Sequence, residues 1–466
     1  MIFQQFVLES LGHASYLLGS ETSGEALVLD VQRDVDGYFE AAQRHGLRIA
    51  YAVDTHQHND YVTGICELPR RGEMQLLASA RAELSYQTRP LQDGDRFEIG
   101  EILVDVLHTP GHTPEHISLL VTDRSRGDDP ALLLSGGALL VGDVARPDLL
   151  GGHDQVLEMA GVMRQTLREK ILSLPDHVEV YPTHVAGSLC GANIGSRYST
   201  TIGYERRLNR LVGCIVSRER FIAECLNLDQ LPAVPPYWRR MRDLNQQGPP
   251  ALGVLAEPPP LRVADFVRLR DTGALVVDCR SPEAYGGGHV PGAINVGIGP
   301  TFPTWAGSVL PVDTPLLVVL EHPSDLWEVC WSLLRVGYQL PRGWLAGGML
   351  AWRTSGQSIG GLPQWTVTEL REQIDKDRAL IVVDVRQPQE WADGHIEAAR
   401  HITGAQLIER VDEIRPDRRV AVICSSGYRS SVAASVLARR GQREVVNVLG
   451  GMTAWRRAGF PVRAGK

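Results

Sequence analysis

One stretch of this chain is written twice, and that repeat constrains the fold more than any bulk property. VVDCRSPEAYGGGHVPGAINV begins at Val276, and VVDVRQPQEWADGHIEAARHI begins at Val382. Asp278 recurs as Asp384, His289 as His395, Gly347-Gly348-Met349 as Gly450-Gly451-Met452, and Trp352 as Trp455. Between these anchors each copy has an apolar strand. In the second copy it ends in Cys424-Ser425-Ser426-Gly427-Tyr428-Arg429-Ser430; in the first it ends in Glu321-His322-Pro323-Ser324-Asp325. A fold has been duplicated and its thiol has not.

Within both copies, short β-branched runs alternate with helical patterns. LVVD and LLVVL belong to the first copy, and LIVVD, VAVIC and EVVNV to the second. Strands alternating with helices predict a parallel sheet covered on both faces. Pro/Gly-rich stretches at 246–260 and 355–363 read as linkers. They divide the chain into expected domains at 1–245, 262–355 and 364–466. The first region differs in pattern. FVLES, ASYLLGS, EALVLDV, RIAYAVD, ILVDVLHT, ISLLVTD, ALLLSG and VEVYPTH read as strands, with few helices interposed, such as 155–172. Many strands with a few helices predict two sheets packed face to face under helices. The expected fold class is multi-domain α/β: an αββα sandwich followed by two smaller α/β domains.

A net charge of -8 and no long basic run argue against nucleic acid. No apolar run reaches membrane-spanning length, and MIFQQFVLES lacks the basic start and apolar core of a signal peptide. Seven cysteines without a C-x-x-C pair fit reduced thiols, so a cytoplasmic location is expected.

Cys424 ends an apolar strand, and SVAASVLARRG starts a helix just beyond it, with Ser430 as a reasonable first cap. Gly427 permits unusual backbone angles in between. Such a loop aims several N–H groups at one point beside the positive end of a helix, which favours a thiolate and an anionic adduct on it. Arg429 adds a fork suited to oxyanions such as a sulfonate. On these residues, with the DVR, GHI and GGMTAW segments, both copies resemble rhodanese domains. The resemblance implies that Cys424 carries a persulfide sulfur and that Ser425, Ser426, Gly427, Tyr428 and Arg429 cradle the transferred group. The loop is one residue tighter than related phosphatase-like loops, which favours sulfur over phosphate. Glu321 cannot form a persulfide and Pro323 removes one loop N–H, so the first copy is expected to be silent.

The strand RIAYAV leads into Asp54-Thr55-His56-Gln57-His58-Asn59-Asp60. Ligand-type side chains at alternating positions at a strand end are a metal signal. Thr109-Pro110-Gly111-His112-Thr113-Pro114-Glu115-His116 and Tyr181-Pro182-Thr183-His184 also follow strands. With ARPDLLGG and PTHVAGSLCGANIG, these segments resemble the metallo-β-lactamase fold, and within it the persulfide dioxygenase branch found fused to rhodanese domains. That resemblance implies one Fe(II) per chain, with zinc as the alternative, held by His56, His112 and a carboxylate. Gly137 stands where the family's aspartate is expected, and Tyr61 where binuclear relatives carry a histidine. Both departures argue against a two-metal hydrolase of the glyoxalase II type. His58, Asp60 or His184 is the candidate to complete the ligand set; Asp143 would sit past the strand end. An empty site, with this domain serving as a scaffold, is the alternative. Arg146, Asp148 and Cys190 are candidate substrate-site residues. The implied partners are a small-molecule persulfide such as glutathione persulfide, with thiosulfate or sulfite, and a homo-oligomer is admitted.

Overall fold

The computed structural model describes residues 1–227 and 231–465, so the expected boundary at 466 lies outside the described residues. The chain divides into two compact units, one ending at Gly253 and one beginning at Val254. No helix among the described residues is long and apolar enough to cross a membrane.

In the first unit, two six-stranded sheets follow the chain in order, one from Ile2–Leu8 through Arg89–Leu91 and one from Arg96–Ile99 through Thr200–Thr201. Alternation explains how they pack. Ala14, Tyr16 and Leu18 of one sheet and Val104, Val106, Leu119, Val121 and Leu134 of the other point into a shared core. The intervening residues face outward under helices. Leu17, Val28 and Ala52 lie beneath the helix Asp36–Arg44, and Leu133 and Val180 lie beneath the helix His153–Thr166. This is the expected αββα sandwich. The strands Gln75–Ser79, Arg89–Leu91 and Arg96–Ile99 are additional to those read from the sequence. The expected boundary at 245 falls inside the helix Trp238–Gln247. Asn245 on that helix donates to the carbonyls of His58 and Tyr61 at 2.9 Å each, clamping the histidine-rich loop.

The second unit holds two five-stranded sheets whose strand order is the same relative to the chain. Every pairing in both is parallel. The repeated residues turn out to be the fasteners of the fold. Arg280 binds Asp278 at 2.6 Å and the carbonyl of Gly288 at 2.9 Å; Arg386 binds Asp384 at 2.7 Å and the carbonyl of Gly394 at 2.9 Å. His289 stacks on Tyr285 and His395 on Trp391. Trp352 and Trp455 are fully buried, each donating its indole N–H to a carbonyl six residues on. Buried charges and aromatics that are all partnered explain why both copies keep them, whatever happens at the loop between.

Candidate functional site

Four strand ends bring the first unit's polar loops to one edge. Arg48–Val53 delivers His56, Ile102–His108 delivers His112, Leu132–Gly136 delivers Gly137, and Glu179–Pro182 delivers His184. His56, His112 and His184 are all buried, and their ring nitrogens lie within 4.8 Å of one another. Burial, reinforced by the neighbouring histidines, holds His56 and His112 well below the ordinary histidine value, leaving them neutral. Burial also opposes charge on His184, but Cys190 and Asp60 beside it outweigh that and raise it well above the usual value. Its Nδ1 is 3.5 Å from the Asp60 carboxylate. Asp60, His184 and Cys190 form a second close group behind the first.

His58 does not join His56 and His112. Its Nε2 is 3.2 Å from Asp30, a buried carboxylate that also accepts from the Thr55 N–H and hydroxyl. Asp30 gains a partner by engaging the Nε2 of His58, whose ring still lies against that of His56 at 4.2 Å. His116 uses both nitrogens structurally, one on Thr109 and one accepting the Gly137 N–H. Tyr61 donates to the carbonyl of Asp30 and packs between His13 and His58. Asp143 accepts the N–H groups of Ala192 and Asn193, so it anchors a loop and does not stand in for the missing aspartate. Arg146 closes on Asp148 through two bonds at 2.7 and 2.8 Å, and it is its backbone carbonyl that meets His112 Nδ1 at 2.8 Å. The sequence offers Arg146 as a candidate substrate-site residue and gives no sign of this role of its backbone.

In the second unit, the strand Val420–Ile423 delivers Cys424 to the start of the helix Tyr428–Arg439. The thiol is fully buried. Its sulfur accepts the Gly427 N–H at 3.1 Å and lies 3.4 Å from the Ser430 hydroxyl. Gly427 has φ of 112°, outside the range an L side chain adopts readily. Gly451, with φ of 51°, lets the following helix close in; a Cβ there would stand 2.3 Å from the Cys424 carbonyl. Tyr428 does not turn toward the sulfur: its hydroxyl donates to the carbonyl of Gly297 in the first copy, at 2.7 Å.

Arg429, read from the sequence as an open fork for an oxyanion, is closed on Glu390 at 2.6 and 2.7 Å, and Ser425 joins the same carboxylate at 2.6 Å. A partly buried guanidinium with a carboxylate in reach pairs bidentately. Glu390 carried no sequence signal by itself, but the repeat contains one: Ala284 occupies its place in the first copy. Burial alone would push the Glu390 carboxyl up; the bonds from Arg429 and Ser425 outweigh it and hold it down at about 2. A depressed carboxyl contributes stability that is fully present above its unfolded value near 4.5 and is lost as pH falls toward about 2. Glu390→Gln is therefore expected to flatten the acid limb of the melting temperature between those values, while a profile parallel to wild type would contradict the pairing.

In the first copy a cleft of about 350 Å³ is lined by Glu321, Pro323, Arg280 and Gly347. No cysteine is among its lining residues, and Ala284 and Leu326 stand where Glu390 and Arg429 stand in the second copy.

The rhodanese-like domain family matches residues 263–355 and 366–458. A solved structure described as a metallo-β-lactamase from Staphylococcus aureus subsp. aureus COL is 31% identical, with a TM-score of 0.66, and covers 74% of this chain and 99% of its own. The chain belongs to the metallo-β-lactamase-fold family and carries two rhodanese-like domains. Curated relatives of this metallo-β-lactamase-fold unit include the mitochondrial persulfide dioxygenases ETHE1 of Bos taurus and Homo sapiens. Each is 30% identical, over 180 and 176 residues, which is 36% of this chain. The chain spans 63% of the length of each.

The family implies a metal in the first unit, and the residues present fit one. His112 Nε2 is buried without a partner, and burial holds both it and the neighbouring His56 neutral. A Cβ built at Gly137 would stand 2.6 Å from the His112 ring, so the imidazole occupies the space a side chain there would take.

Proposed function

We propose that the chain oxidises a small-molecule persulfide in its first unit and transfers sulfane sulfur at Cys424 in its second. One observation carries the reading: the buried Cys424 thiol, hydrogen-bonded by a loop N–H at a helix start, in a chain that also gathers three buried imidazoles at one edge of a sandwich.

At Cys424, the thiolate attacks the outer sulfur of thiosulfate, a new S–S bond forms, the old one breaks, and sulfite leaves. The resulting persulfide anion is held by the Gly427 N–H and the Ser430 hydroxyl. Sulfite, cyanide or a thiolate then takes the outer sulfur and regenerates the thiolate. Arg429 acts through Glu390 and Ser425, fixing the loop's shape. In the first unit His56 and His112 would hold the metal, with iron favoured over zinc for reaction with O2. When bound, iron supplies the means of activating O2 toward the persulfide's outer sulfur. The overall change consumes persulfide, O2 and water and yields thiol and sulfite. Sulfite is also the acceptor that a Cys424 persulfide converts to thiosulfate, which links the two reactions chemically. Glutathione persulfide is the substrate of choice. All seven cysteines are free, in keeping with a reducing compartment.

Treatment with thiosulfate followed by peptide mass analysis is expected to find one extra sulfur on the Cys424 peptide; an unmodified Cys424 would refute sulfur transfer there. The first copy is read as silent for reasons beyond Glu321. A Glu321→Cys/Cys424→Ser double variant is expected to stay at background turnover, because Ala284 and Leu326 leave the new thiol without its supporting pair. Recovered turnover would show that the thiol alone was missing.

Gly137 favours one competing reading, in which the first unit is a binding scaffold. Iron bound one per chain after anaerobic purification, with O2 uptake on glutathione persulfide, would exclude it; metal-free protein without uptake would establish it.

A further inference from the structure

A metal site that loses its carboxylate either empties or finds another ligand. Here the hydrogen-bond pattern behind the three imidazoles decides which nitrogen each one offers. Thr55 has one hydroxyl proton, and it goes to Asp30 at 2.9 Å. Thr55 Oγ1 can then only accept from His56 Nδ1, 2.8 Å away, which leaves the lone pair of His56 on Nε2. The carbonyl of Arg146 can only accept, so His112 Nδ1 donates to it and its lone pair is also on Nε2. On His184, Nδ1 faces the Asp60 carboxylate, and Nε2 lies 3.4 Å from His56 Nε2. The Nδ1 atoms of His56 and His112 are tied to outer oxygens, that of His184 lies 3.4 Å from the Ser188 hydroxyl and 3.5 Å from Asp60, and three Nε2 atoms point inward.

We propose that His184 is the third protein ligand of the metal, giving a three-histidine set in which Asp60 acts from behind His184 in place of the carboxylate lost at Gly137. The inference rests on the metal-binding reading above and names its ligand set. A metal-bound imidazole commonly gives its other N–H to a carboxylate or carbonyl, which fixes the ring and strengthens it as a donor. His56 and His112 have such a group in Thr55 and the Arg146 carbonyl, and the Asp60 carboxylate stands 3.5 Å from the Nδ1 of His184. The other candidates stand elsewhere: His116 is engaged at both nitrogens by Thr109 and Gly137, Asp143 by Ala192 and Asn193, and His58 groups with Asp30 and Asp54 and not with His56 and His112. Asp60 groups with His184 and Cys190, on the Nδ1 side of the ring, and not with His56 and His112. Moving the carboxylate one shell outward leaves three neutral donors around a divalent ion. Such a site has a stronger demand for an anionic ligand than a two-histidine, one-carboxylate site does, which suits a persulfide or thiolate anion.

The test uses the full chain, freed of metal and titrated anaerobically with Co²⁺ alone. Each histidine bound through Nε2 keeps an exchangeable Nδ1–H close to the paramagnetic ion. The Co²⁺ form is expected to bind one ion per chain and to show three strongly shifted proton signals that vanish in D2O. His184→Gln should remove one of them and weaken Co²⁺ binding by more than the about 10- to 100-fold typical of losing an outer-shell partner. Asp60→Asn should keep all three signals and lose affinity within that range. Two exchangeable signals in the wild type, or wild-type affinity in His184→Gln, would overturn the assignment of His184 while leaving the metal reading intact. No Co²⁺ binding by the wild type would overturn both. The wild-type signal count decides the matter even if the His184 variant fails to fold. Three signals in a protein whose iron form takes up no O2 would uphold the ligand set and reject the oxidation.

Discussion

Cys424→Ser is expected to lower thiosulfate-to-cyanide turnover by about 10³-fold or more, the scale seen when a covalent nucleophile is removed. A serine hydroxyl cannot form the S–S bond on which transfer depends. The substitution is close to isosteric, and the Gly427 N–H keeps an acceptor, so the melting temperature should move little. The two properties should therefore separate: activity lost, fold retained. O2 uptake on a persulfide should be unchanged in this variant, because the imidazoles lie in a separately packed unit. Residual turnover near the wild-type rate would move the nucleophile to another of the buried cysteines.

His112→Ala should produce the opposite pattern. It removes one inward Nε2 and leaves the carbonyl of Arg146 without its donor, a local loss of about 1–3 kcal/mol. Bound metal is expected to fall to a small fraction of wild type, with O2 uptake lost in parallel and Cys424 turnover kept. Metal analysis, oxygen consumption and thiocyanate formation on the one preparation check all three. Retention of a full metal complement would show that His112 is no ligand.

Much of the fold is legible in the sequence because duplication and alternation act locally. The repeat singles out Asp278 and Asp384, and the structure supplies the reason: each is clamped by an arginine two residues on. Alternation in ASYLLGS and ILVDVLHT gives the sandwich, since every second side chain must find the core. What stays hidden depends on partners far apart in the chain. Nothing near Arg429 announces Glu390, which reaches it from another helix, and nothing near Tyr428 announces the Gly297 carbonyl that holds it. The alternating His56 and His58 look equivalent in sequence, yet Asp30 engages the Nε2 of one of them. The Arg429 side chain reads in the sequence as an open fork for an oxyanion, and here it already has a carboxylate partner.

The most direct test follows sulfur through both units at once. Iron-loaded full chain is given glutathione persulfide in a closed oxygen cell, and sulfite and thiosulfate are measured as O2 falls. The account predicts O2 uptake of equal size in wild type and Cys424→Ser, with thiosulfate accumulating in the wild type and sulfite in the variant. No uptake by iron-loaded protein, or the same products from both proteins, would contradict it.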